Sequence, residues 1–203
     1  MPLGANKAAI MGVAGVSAAD VVLIYDTDHS NATVASITSG ITSAYGEYIF
    51  RFYNMNPATD AADFTFQTSI DGGSNYNVLI ASTVIGSYHD EQDDNGVFEY
   101  FTGSDSTDSS TSFQNICTRV ANAADGSAAG ELHLFNPSST TFVKHFWAKV
   151  TCMHTSGDDP TRPYTLTQYT SGYFNDADDD VNAIQFKMSA GNFDGTIKMW
   201  GVK

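Results

Sequence analysis

The chain has 203 residues, 42% of them hydrophobic, and a formal net charge of -14, with 23 acids set against nine Lys plus Arg. That length suits one core, and the apolar content excludes an acidic disordered tail. Too few cations are present to grip a nucleic-acid backbone, and no run approaches the roughly 18 apolar residues of a membrane span; the expectation is a soluble protein that binds no nucleic acid and inserts in no membrane.

Residues 1–19 place Lys7 before an apolar run broken by Gly12 and Gly15. This matches a secretory signal weakly, and the segment reads as a retained N-terminal arm of small residues, partly helical over 7–11 and suited to docking. Residues 20–203 read as a single domain. Val21 to Tyr25 is a short apolar run and residues 32–38 a β-branched one. Tyr48, Phe50 and Phe52 then alternate with Ile49, Arg51 and Tyr53, so three aromatics share one strand face and belong to the core. The strand stops at Asn54, and after a turn over Asn56 to Asp60, Phe64, Phe66, Thr68 and Ile70 alternate with Thr65, Gln67 and Ser69. Asp71, Gly72 and Gly73 supply a tight turn. Segments 47–54, 63–70 and 76–84 read as a meander.

Residues 86–112 are polar apart from a strand at 97–101, so the loops 89–95 and 103–112 are expected to be mobile. Strands follow at 113–120, 131–135 and 142–153, then a Gly/Asp/Pro loop over 154–163 and a short strand at 164–169. The last stretch, 182–203, holds two alternating runs, Ile184, Phe186, Met188 and Ile197, Met199, Trp200. Gly191 and Gly195 lie between the runs, and the stretch reads as a closing hairpin with those glycines as its turn. Roughly ten strands with turns every 8–15 residues, and no sustained helical period, predict an all-β fold. The economical form is an antiparallel two-layer β-sandwich of the jelly-roll kind, with a closed barrel as the second choice.

Catalytic signatures are weak. Gly15, Val16 and Ser17 lack the second glycine of a nucleophile elbow. Ser69, Asp71, Gly73 and Tyr76 resemble an Asp-box, a structural turn that supports a hairpin and not a hydrolase. A sialidase-like site needs clustered arginines, and only Arg51, Arg119 and Arg162 exist; a glycosidase is the least favoured class, since carboxylate pairs cannot be assigned without geometry. The acidic cluster Asp176, Asp178, Asp179, Asp180 fails the EF-hand test at Val181 and Lys187. Together with Asp90, Glu91, Asp93 and Asp94, it reads as solvated loop rather than calcium site. Cys152 and His154 share a strand face, but with His133, His145 or Cys117 they form no specific zinc spacing. The two cysteines read as buried thiols. No catalytic, cofactor or metal residue is assigned. Tyr164, Tyr169, Tyr173 and Phe174 concentrate aromatics beside Thr167, Gln168 and Asn175, fit for core packing, a subunit contact or stacking on a glycan. Asn31, Ala32, Thr33 is a formal glycosylation sequon.

Three stretches carry a family resemblance. They are MPLGANKAAIMGVAG, then YIFRFYNMNPATDAADFTFQTSIDGGSNY, then GYFNDADDDVNAIQFKMSAGNFDGTIKMWGVK. In that order they resemble short bacteriophage tail and virion structural proteins, whose Asn-Ala-Ile-x-Phe, Ser-x-Gly-Asn and Gly-Thr-Ile patterns recur here. The chain departs from the group at Gln185, Met199 and Trp200, and residues 85–139 match nothing in it. The resemblance implies a non-enzymatic virion component without cofactor, assembling with itself as a homotrimer and with other particle proteins. It would serve either as a tail or fibre part facing host surface glycan or as a capsid decoration (cement) protein. The competing class is a carbohydrate-binding module or adhesin domain.

Overall fold

The computed structural model describes residues 20–90, 92, 96–156, 159–176 and 178–203. The expected arm over 1–19 lies outside these residues, as do Glu91, Asp93 and Asp94. Twelve antiparallel strands make up the described fold: β1 (Val21–Ala32), β2 (Ala35–Ile37), β3 (Glu47–Pro57), β4 (Ala62–Ser69), β5 (Ile80–Asp90), β6 (Gly96–Tyr100), β7 (Gln114–Val120), β8 (Ala128–Phe135), β9 (Lys144–Ser156), β10 (Asp159–Phe174), β11 (Ala183–Met188) and β12 (Phe193–Val202). The all-β antiparallel class is as the sequence predicts.

The hydrogen-bonded order runs β1-β12-β3-β8-β9-β7-β4-β11-β2, with β10, β5 and β6 branching from β9 as a three-strand wing. The first and last strands of this path, β1 and β2, are joined by Thr33 and Val34 alone, so the sheet nearly closes into a barrel. Its seam is narrow: β7 meets β9 through the single pair Val120 and His154. The expected division into two separate layers is therefore not cleanly drawn.

Two local expectations change. Residues 182–203 do not form a hairpin: β11 pairs with β2 and β4, whereas β12 pairs with β1 and β3. The connection through Gly191 is an arch from one side of the core to the other, tied by Ser189 N–H to Asp63 O and Ala58 N–H to Asn192 O. Gly191 keeps its turn role at φ 70°, but Gly195, at φ 148°, sits inside β12 at a bulge against Met55. The meander fails as well, because β3 pairs with β8 and β12, β4 with β7 and β11, and β5 with β10 and β6, so none of the three pairs with another. The rings of Phe52 and Phe64 meet edge-on at 5.0 Å across the core instead of side by side in one sheet.

The core is an aromatic stack. Phe186 lies 5.1 Å from Phe52 and 5.5 Å from Phe50, and Phe66 lies 5.1 Å from Phe146, with all five rings buried. Each such ring contributes about 2 kcal/mol of apolar burial. Ile184, Phe186, Met188 and Ile197 are buried in the core. At Asn54, φ is 52°, and the register slips between Phe52 and Met55, so inward positions change from Tyr48, Phe50, Phe52 to Met55 and Pro57. β4 departs from simple alternation, since Gln67 and Ser69 are as buried as Phe64 and Phe66. The Gln67 amide donates to Val78 O and Ser112 O, so the covering loops satisfy it.

β10 runs far beyond the short strand expected at 164–169, and β9 and β10 begin or end inside the predicted 154–163 loop. The loop 103–112 is held rather than loose. Ile80 pairs with Ser110, Ser106 N–H donates to the Ser82 hydroxyl, and the buried Gln114 amide donates to Ser104 O.

Candidate functional site

The sequence candidates scatter. Asp71 accepts from Ser69 Oγ at 2.7 Å, Asn75 N–H at 2.9 Å and Asn75 Nδ2 at 2.7 Å, which holds its carboxyl down at about 2. These bonds close the turn on itself, so the box serves as a structural staple. The acidic loop 176–180 has its own cation. Lys144 is fully buried and its ammonium donates to the carbonyls of Asp176 and Asp179. Burial lowers the pKa of that ammonium from its ordinary value, opposed by Asp176, Asp179, Asp180 and Asp178. The ammonium of Lys144 thus satisfies two main-chain carbonyls of the acidic loop.

Cys152 and His154 do share the inner face of β9, and His133 and His145 fall on the outer face, so the zinc candidates separate. Among the described residues, no group of three or more His, Cys, Asp or Glu is placed to hold a metal ion. Burial pushes the Cys117 thiol well up, with Cys152 beside it, and both cysteines are free and buried. Such thiols are poor nucleophiles at neutral pH. His154 lies between Tyr88, stacked at 6.4 Å, and Tyr164, edge-on at 5.9 Å. Its Nδ1 is buried without a hydrogen-bond partner, and burial, helped by nearby Arg119, brings its pKa down to about 4.

The four clustered aromatics also divide. Tyr164 and the buried Phe174 point inward, and Tyr169 and Tyr173 stand on the outer face with Ser171 between them. The Asn31 side-chain oxygen accepts from Asn192 Nδ2 at 2.9 Å, so that residue has a structural partner. Arg51 lies on the outer face 3.5 Å from Glu131, away from Arg119 on β7.

Tyr173 belongs instead to a groove that the sequence does not announce. β8 and β9 are a true hairpin joined by residues 136–143, in which His133 stands opposite Trp147 and their rings stack at 3.9 Å. Across β9 and β10, Trp147 stands opposite Ser171 and His145 opposite Tyr173, whose rings meet edge-on at 6.0 Å. Two cavities of about 820 and 500 Å³ lie over this surface and share Phe135 and His145 as lining. The first is walled by the 136–143 loop and by Ser43, Tyr45 and Gly46; the second has Trp147, Ser171 and Tyr173 on its floor.

The walls are ordered by short bonds. Asn136 N–H donates to Gly46 O at 2.7 Å and Ser139 N–H to Asn136 O at 3.0 Å. The Ser139 hydroxyl accepts from Phe142 N–H at 2.9 Å. This fastened loop holds the Phe142 ring 73% exposed. Among the described residues, no Asp, Glu, Lys or Arg lines either cavity. The missed signal lay in the register of one hairpin: reading 136–143 as its turn places His133 beside Trp147 and Phe135 beside His145.

The rest of the outer face is continuous with this groove. A single cross-strand row carries Asp26, Lys198, Arg51, Glu131, Lys149, Tyr169, Ile85 and Tyr100 from β1 to β6. Lys198 bonds Asp26 at 2.8 Å, and Lys149 lies 5.5 Å from the Tyr169 ring. Scattered apolar side chains stand among these charges, with Leu23 49%, Phe98 72% and Tyr100 46% exposed.

No protein-family model, no curated protein and no solved structure matches this chain.

Proposed function

We propose that this chain is a non-enzymatic structural component of a bacteriophage particle, assembling with itself and with other particle proteins in the tail or on the capsid. The observation that carries this reading is spatial. The second and third stretches that resemble virion proteins lie side by side in the fold, β3 against β12 and β4 against β11. Segments far apart in the chain that each resemble this one group therefore lie together in the fold. We carry the jelly-roll sandwich into the same proposal, because β3 faces β4 and β11 through Phe50, Phe52, Phe64 and Phe186 as two layers of a flattened barrel do. The wide outer face, with apolar side chains set among charges, supports assembly rather than solitary function.

A homotrimer is the stoichiometry we propose. Light scattering on purified protein tests it, with three times the chain mass expected and a monomer at all concentrations counting against it. Immunogold labelling or mass spectrometry of purified particles tests the placement; absence of the chain from intact particles ends the proposal. A second reading, a free carbohydrate-binding domain, draws on the aromatic groove. It predicts a monomer that binds sugar and never enters a particle.

A further inference from the structure

We propose that the groove beside the β8–β9 hairpin is a binding site for a neutral oligosaccharide, a function that goes beyond assembly. Four observations converge on that ligand class. The surface offers aromatic faces at Trp147, Tyr173 and Phe142, and sugar rings present C–H faces that stack on such side chains. Hydroxyl and amide groups stand among them, on Ser139, Thr141, Asn136 and Ser171, as donors and acceptors for sugar hydroxyls. The walls are pinned in place by backbone bonds, so little ordering entropy is lost on binding.

Charge selects within the class. In a chain with net charge -14, the described residues that line the two cavities include no Asp, Glu, Lys or Arg. An anionic sugar would find no cation there and would meet the field of an acidic protein, whereas a neutral one loses nothing to desolvation of ionic groups. A contact between copies is the competing occupant, because the surface is open and its lining more apolar than polar; the hydroxyl and amide groups set among the aromatics favour the sugar.

The test uses the full chain on an array of neutral and anionic glycans, followed by titration of the hits with tryptophan fluorescence and calorimetry. Expected are neutral hits, a fluorescence change from Trp147 stacking, and about tenfold weaker binding for Phe142→Ala and for Tyr173→Ser. Phe142→Ala should keep the parent melting temperature, since that ring is exposed. The proposal is overturned by an array with no neutral hit, by hits confined to anionic glycans, or by affinity unchanged in both variants. It is equally overturned if Phe142→Ala dissolves an oligomer in light scattering while no sugar binds, for then the groove is a contact between copies. The particle placement is decided separately by labelling of the virion, so either idea can fail while the other stands.

Discussion

Two bases, the partly buried His154 and the buried Lys144, set testable limits on stability at the level of single residues. His154 has a folded-state pKa of about 4 against an ordinary 6.5, because burial disfavours its charged form. The unfolded chain therefore binds the extra proton first, and stability falls as pH drops from about 6.5 towards 4. Urea unfolding at pH 7 and at pH 5 should show a lower midpoint at pH 5. The difference should shrink in His154→Gln, and an equal drop in that variant would assign the effect elsewhere. Lys144 is the second case. Replacing it with Met removes the ammonium that satisfies two loop carbonyls, and leaving those acceptors unpaired should cost about 2–4 kcal/mol. Denaturant melts check this, and millimolar calcium added to the variant reports whether the emptied carbonyl pair accepts a metal ion. The inward alternation at Tyr48, Phe50 and Phe52 was legible in the sequence because period two needs no partner to be read. Lys144 was not, since its counter-groups come from a loop more than 30 residues away.

At the scale of elements, glycines decide where strands can cross closely. Gly130 on β8 and Gly172 on β10 have no room for a side chain: a Cβ would meet Lys149 O at 2.2 Å and Ala81 O at 2.2 Å, both backbone atoms that cannot yield. These positions let the sheet coil over the aromatic core. Gly130→Val should therefore destabilise by about 3 kcal/mol or more, or prevent folding, which circular dichroism melting reads directly. Gly72, with a φ of 72° and open space around it, carries only conformational strain, and Gly72→Ala should cost about 1 kcal/mol. Strand positions were largely visible as alternating runs, and β6, β7 and β9 fall close to where they were expected. The pairing was not visible. A glycine-bearing loop between two alternating runs looks the same whether the strands pair beside each other or arch across a core. The choice is made by which neighbours offer free edges, here β4 and β3 for β11 and β12.

The molecule as a whole presents one broad outer face ending in the wing strand β6, which among the described residues pairs with β5 alone. Such an edge, carrying Phe98 at 72% exposure and Ile85 beside it on β5, is prone to pair or pack with another surface. If the wing drives self-association, Phe98→Ser combined with Ile85→Thr should shift light scattering towards the monomer, with stability changed by no more than about 1 kcal/mol. An unchanged oligomer would move the contact to another part of the face. The all-β class, the inward aromatic positions and the acidic, cation-poor character of the chain are legible in the residues alone, because local period and composition are properties of neighbouring residues. The residues also carry the resemblance that motivates the particle reading. The strand order, the near-closure of the sheet through β1 and β2, the separation of Tyr164 from Tyr169 and Tyr173, and the groove at Trp147 emerge from the folded chain. Each of these depends on which distant backbone edges meet. That outcome is settled by burying the whole aromatic core at once, and no short stretch of sequence contains it.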